Sequence, residues 1–144
     1  MDAGPPNLEN PMLTMKAAIV STALSLCAFS AGAVTVTPVD VMGQVGHSAK
    51  VCGVVASANY AADSRAHPTF LTLVDPGQRN PTGALTAVIY GTDRAKFNNP
   101  EVTLPGQRVC AAGFVSYFRQ RPEMILSDPR QLSYYPPTSI ADLR

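Results

Sequence analysis

Histidine is scarce in this 144-residue sequence. His47 and His67 stand far apart, which removes the clustered Cys and His ligands that a zinc site would need. The same scarcity leaves no Ser/His/Asp triad that the residues themselves name. Gly46, Gly53 and Gly91 are isolated, so no glycine-rich loop is present to cradle a phosphate. No repeat of solenoid length and no second domain is apparent. The uncharged, mostly apolar run from Ala17 to Phe29 has 13 residues, whereas a membrane-spanning helix needs about 20. These absences predict no catalytic residues, no metal and no cofactor.

What is present begins with an export signal. Met15 and Lys16 supply a basic start, Ala17 to Phe29 the apolar stretch, and Ala31-Gly32-Ala33 the small-x-small pattern of a signal-peptidase site. Residues 15–33 are therefore expected to be a signal peptide, with cleavage leaving Val34 to Arg144. Residues 1–14, with Asp2, Glu9 and three prolines, make a poor leader start, and Met15 is the better initiator. Cys27 lies inside the leader. A lipoprotein cleavage there is the alternative, but Leu26 sits where a small residue would be wanted. The mature chain is expected in the periplasm or outside the cell, without a membrane span.

Cleavage leaves two cysteines, Cys52 and Cys110. An even count in an oxidising compartment favours a bridge. Each cysteine follows a valine in a β-branched run, Lys50 to Val55 and Arg108 to Val115, and each run comes after a glycine-containing turn. Two neighbouring strands joined by a disulfide are expected.

Between Ser48 and Leu132 there are nine basic residues against six acidic ones, a balance of +3. That permits a polyanionic partner without demanding one. Seven of the nine are arginine, whose guanidinium suits bidentate phosphate contact.

Patterning predicts an arm over 34–47, extended or carrying a short leading strand rather than a helix. A first strand over Ala49 to Ala58 follows, then a polar loop from Asn59 to Pro68. The second strand is Thr69 to Val74, ended by the Asp75-Pro76-Gly77 turn and a polar loop from Gln78 to Gly83. Leu85 to Tyr90 reads as the third strand. Thr92 is placed to cap a short helix over Asp93 to Phe97, stopped by Asn98-Asn99-Pro100. Leu104-Pro105-Gly106 turns into a fourth strand, Arg108 to Tyr117, and the fifth is Glu123 to Ser127, closed by Asp128-Pro129. Residues 133–144, with Pro136-Pro137, read as a flexible tail.

This order, three strands, a short helix and two strands, is that of the all-β five-stranded OB barrel, whose first and fourth strands are neighbours. Such adjacency would bring Cys52 and Cys110 together. A generic five-stranded sheet is the alternative. The expected domain is 48–132.

The runs Val51 to Val55, Phe70 to Leu73, Ala87 to Gly91, Gly106 to Gly113, Tyr117 to Pro122 and Ser127 to Pro129 resemble the tRNA/helicase-type OB domains, in particular small exported bacterial versions. The resemblance lies in strand order and turn spacing, without a catalytic signature. It implies binding of single-stranded nucleic acid across the second and third strands, flanked by the loops after the first strand and between the fourth and fifth. Such a surface needs π-faces for bases and cations for phosphates.

Alternation puts Leu71 and Leu73 on one face of the second strand, Phe70 and Thr72 on the other. Phe70 is the first candidate for stacking, at the position where the similar anticodon-binding domains present an aromatic ring; packing under the preceding loop or in the barrel is its alternative. On the third strand Thr86, Val88 and Tyr90 share one face and Leu85, Ala87 and Ile89 the other. The second set is more apolar, so Thr86 and Tyr90 are expected outside. Arg65 in the first loop, and Arg119 and Arg121 beside Tyr117 in the last, would flank the groove with charge. Similar domains commonly carry glycine in that last loop, where this chain has Gln120.

The expected function is thus a non-catalytic exported module for single-stranded nucleic acid. A small ligand or a protein partner in the envelope is the alternative. Nucleases of the staphylococcal type also use an OB barrel, but they need acidic calcium ligands and paired arginines on extra elements that this chain does not display.

Overall fold

In the computed structural model, residues 32–78 and 84–136 are described. The expected leader up to residue 31, the loop over 79–83 and the tail over 137–144 lie outside them.

Seven strands form among the described residues: β1 (Val34–Val36), β2 (Ser48–Tyr60), β3 (Thr69–Val74), β4 (Leu85–Ile89), β5 (Arg108–Phe118), β6 (Arg121–Ile125) and β7 (Leu132–Tyr134). The two-residue period of the sequence becomes burial directly: Ala49, Val51, Gly53 and Val55 of β2, Leu71 and Leu73 of β3, and Leu85, Ala87 and Ile89 of β4 all point inward. In β2 this phase ends at Ala56, where a bulge separates the Val55↔Leu73 pair from Ser57↔Thr72. The strand bends there and serves two neighbours, β5 through Ser48–Val54 and β3 through Val54–Tyr60.

β3 pairs antiparallel with β4, β4 parallel with β6, and β6 antiparallel with β5, which returns to β2. The result is the closed five-stranded OB barrel, β2 to β6 in chain order being the five expected strands. Leu71, Leu73, Leu85, Ile89, Val109, Met124 and Leu126 fill its core. Closure sets Cys52 opposite Cys110, and the two form a disulfide.

Three local readings are corrected. Residues Pro38–Gln44 form a 3-10 helix, not extended chain. Pro38 sets the first helical φ, Thr37 donates its hydroxyl to Asp40, and Val41 is fully buried in the core. Pro38 also lies against Gly53, where an added Cβ would come within 2.6 Å of the Val74 carbonyl oxygen and 2.7 Å of Pro38 Cγ.

Thr92 does not cap the helix after β4. The helical turn runs Gly91–Arg94 with Tyr90 at its N-cap, followed by a 3-10 turn over Ala95–Phe97. Asn98 and Asn99 then take left-handed φ values of 56° and 54°, as a C-terminal cap requires. The helical segment stops there as expected, and Pro100 then starts a separate turn, Pro100–Thr103. Arg94 fastens this segment to the barrel, lying 4.1 Å from the Tyr60 ring centroid and ion-paired with Glu101. Burial, the largest single influence, pushes the Glu101 carboxyl up, but the Arg94 hydrogen bond, a backbone hydrogen bond and the Arg94 charge together outweigh it, and the pKa falls below the ordinary value.

The start of the expected tail is a strand. Leu132–Tyr134 pairs with Val109–Ala111 of β5, after a 3-10 turn over Pro129–Gln131 that Asp128 and Gln131 close as a reciprocal capping box.

Candidate functional site

The outward residues of β3, β4 and β6 stand in rows fixed by register. Thr72 faces Thr86, which faces Glu123; Phe70 faces Val88, which faces Ile125. β5 extends the first row through Ser116, opposite Glu123, and ends at Phe118, opposite Arg121. The β5–β6 hairpin turns through Arg119 and Gln120, both with positive φ (48° and 65°), a geometry that suits the twist of a two-residue hairpin but is rarely taken by residues other than glycine, asparagine or aspartate.

Two hollows open on this face. One, of about 360 Å³, is bordered by Thr72 and Thr86 on its strands and by Arg119 and Arg121 at the hairpin. The other, of about 250 Å³, is bordered by Pro68, Val88 and Tyr90. Phe70, Phe118 and Glu123 line both, so these three side chains form the boundary between them.

Phe70 is half-buried on the outer face, with Leu71 and Leu73 inside. The parity of β4 is settled by burial: Leu85, Ala87 and Ile89 are inside, and Thr86 and Tyr90 lie with Val88 on the outer side. Val88 is only 3% exposed despite facing outward. Of the residues named from sequence, Phe70, Thr72, Thr86, Arg119 and Arg121 come together around the larger hollow, and Tyr90 lines the smaller.

Tyr117 and Arg65 line neither. Tyr117 is 52% exposed but shares its strand parity with the inward Val115, opposite Pro122. Arg65 is exposed in the loop between β2 and β3. That loop is closed by a hydrogen bond from the Ala61 amide to the Pro68 carbonyl oxygen and packs its His67 against Gly91.

Sequence reasoning missed Phe118 and Glu123. Phe118 is 55% exposed, with the Arg119 guanidinium 5.3 Å from its ring centroid. Counting outward from the buried Val115 through Ser116 would have found it. Among the described residues Glu123 has no ion pair or side-chain hydrogen bond, and neither have Arg119 and Arg121. Partial burial raises the Glu123 pKa above the ordinary carboxylate value. The face therefore offers three aromatic rings, Phe70, Phe118 and Tyr90, and, among the described residues, two guanidinium groups without an ion pair at its rim and one carboxylate without an ion pair in its floor.

Among the described residues no group of three or more His, Cys, Asp or Glu is placed to hold a metal ion, and no helix is long and apolar enough to cross a membrane.

No family model matches the sequence, and no curated protein matches it. Solved structures match by shape. The yeast Stn1 and Ten1 structure aligns at 14% identity over 76% of this chain and 66% of the other, with a TM-score of 0.52. Asparaginyl-tRNA synthetase from Entamoeba histolytica aligns at 13% identity over 76% of this chain, with a TM-score of 0.51, and the match spans only 25% of the synthetase. The S. pombe Stn1–Ten1 complex aligns at 19% identity over 61% of this chain and 57% of its own, with a TM-score of 0.45. At these identities the similarity is one of fold.

Proposed function

We propose that this chain is an exported, non-catalytic OB-fold protein that binds single-stranded nucleic acid across β3, β4 and the β5–β6 hairpin. The observation that carries the reading is the convergence of Phe70 and Phe118 with Arg119 and Arg121 around one hollow. Unstacked bases need flat apolar partners, and phosphates need cations held close by. Neither arginine has an ion pair among the described residues, so contact with phosphate breaks none. Thr72 and Thr86 add hydroxyl groups that donate or accept. The cross-strand disulfide suits an oxidising compartment, which supports a periplasmic or secreted location.

Fluorescence-anisotropy titration of the disulfide-bonded protein with labelled single-stranded DNA and RNA at two salt concentrations tests this reading. Binding is expected to weaken steeply with salt, because each neutralised phosphate releases counterions. Absence of binding at low salt rejects it.

The Glu123 carboxylate favours a second reading, an amine-bearing small ligand or a basic protein segment in the envelope. Binding by such a ligand that survives on an Arg119→Ala, Arg121→Ala double variant and fails on Glu123→Gln distinguishes it.

A further inference from the structure

The two hollows are unlike in chemistry yet share a wall. The larger carries both threonine hydroxyls and both arginines; the smaller is bordered by Pro68, Val88 and Tyr90, and no cation lines it among the described residues. A single base fills one side of the Phe70, Phe118 and Glu123 boundary and leaves the other open. A strand running over the boundary places successive bases on its two sides.

We propose that the minimal ligand is two consecutive nucleotides of one strand, and that the two positions are treated differently. The base in the larger hollow is selected for an exocyclic amino group by Glu123, and its neighbour in the smaller hollow is held by contact with Tyr90 and Val88 without selection. This rests on the nucleic-acid reading above.

The chemistry follows from the donor and acceptor inventory. An ionised carboxylate only accepts hydrogen bonds. Adenine, cytosine and guanine carry exocyclic amino donors; thymine and uracil offer only an N3–H flanked by two carbonyl oxygens that a carboxylate repels. In a single strand those base edges are open to a side chain. Glu123 is half-buried and has no ion pair among the described residues, so a ligand donor in the larger hollow satisfies a group that they leave without one. A phosphate there is opposed by the same carboxylate, which confines the backbone to the rim at Arg119 and Arg121. Glu123 also edges the smaller hollow, but its strand register sets it in the row of Thr72 and Thr86. Beyond that shared edge the smaller hollow offers the Tyr90 hydroxyl and the apolar surface of Pro68 and Val88, which hold a base by contact.

The test is an NMR chemical-shift titration of the disulfide-bonded protein with deoxynucleoside monophosphates and with di-, tri- and hexadeoxynucleotides of defined sequence. The largest gain in affinity is expected between one and two nucleotides. In dinucleotides, replacing cytosine by thymine at one position should weaken binding at least ten-fold, and at the other by less than two-fold. Glu123→Gln should erase that asymmetry. Tyr90→Ala should weaken dinucleotides by roughly five-fold to a hundred-fold while leaving mononucleotides unchanged. Affinity that grows evenly with length, or equal effects of thymine at both positions, overturns the inference and leaves the nucleic-acid reading standing. No binding by any oligonucleotide overturns both.

Discussion

Cys52 stands directly opposite Cys110 in the antiparallel β2–β5 pair, with 4.0 Å between their Cα atoms and 58 residues of sequence separation. The bridge crosses one seam of the barrel and closes a loop that holds β3, β4 and the helical turns. In the chain-entropy account a loop of that length contributes about 4 kcal/mol, a large share of the roughly 5–15 kcal/mol of a whole domain. Urea denaturation with and without a reductant is expected to differ by about that amount. An unchanged midpoint contradicts it.

Removing the rings tests the face they form. Phe70→Ala and Phe118→Ala are each expected to weaken binding of a single-stranded oligonucleotide by about 1–3 kcal/mol. Tyr117→Ala, at an exposed site that lines neither hollow, should change it little. Anisotropy titrations of the three variants check the ordering.

Arg119 and Arg121 should act through charge alone. Each replacement by alanine is expected to reduce the slope of log affinity against log salt by about 0.7, the single-strand value per phosphate. The loss should be similar for every oligonucleotide sequence. A slope that stays constant in both variants removes these residues from the phosphate path.

Glu123 makes a stability prediction with a definite sign. Its folded pKa lies above the ordinary value because of partial burial. The folded state therefore favours the protonated form, and this group's contribution is fully present below the unfolded pKa and lost as pH rises through the folded one. Glu123→Gln should stabilise the protein at neutral pH by less than about 1 kcal/mol, the side chain being partly solvated, and the difference should vanish near pH 3. Thermal melts at the two pH values measure it.

Gly53 is predicted to tolerate no side chain. A Cβ would meet the Val74 backbone at 2.6 Å and the ring of Pro38 at 2.7 Å, and a backbone atom cannot step aside. Gly53→Ala should cost roughly 1–3 kcal/mol, read from urea midpoints. A neutral effect means that the Pro38–Gln44 helix moves freely.

Much of the barrel was legible because strands advertise themselves with a period of two. β3 spans Thr69–Val74 as the alternation of Phe70, Leu71, Thr72 and Leu73 predicts. Gly77 and Gly106 adopt positive φ at the turns that their neighbours Pro76 and Pro105 announce. Less of the face was legible. Tyr117 and Phe118 are adjacent aromatics, and which of them turns toward the groove follows from strand parity only once Val115 is known to point inward.

Local sequence determined this protein's strands and turns, because steric and solvation preferences act between near neighbours in the chain. Tertiary structure alone decided that Pro38–Gln44 packs as a helix on the core, that Leu132–Tyr134 joins β5, and that Glu123 shares with Phe70 and Phe118 the boundary between the two hollows. Those outcomes depend on barrel closure, which sets the register of β4 against β6 across more than thirty residues of chain. No short segment carries that information, since the residues that meet there have no contact until the sheet closes.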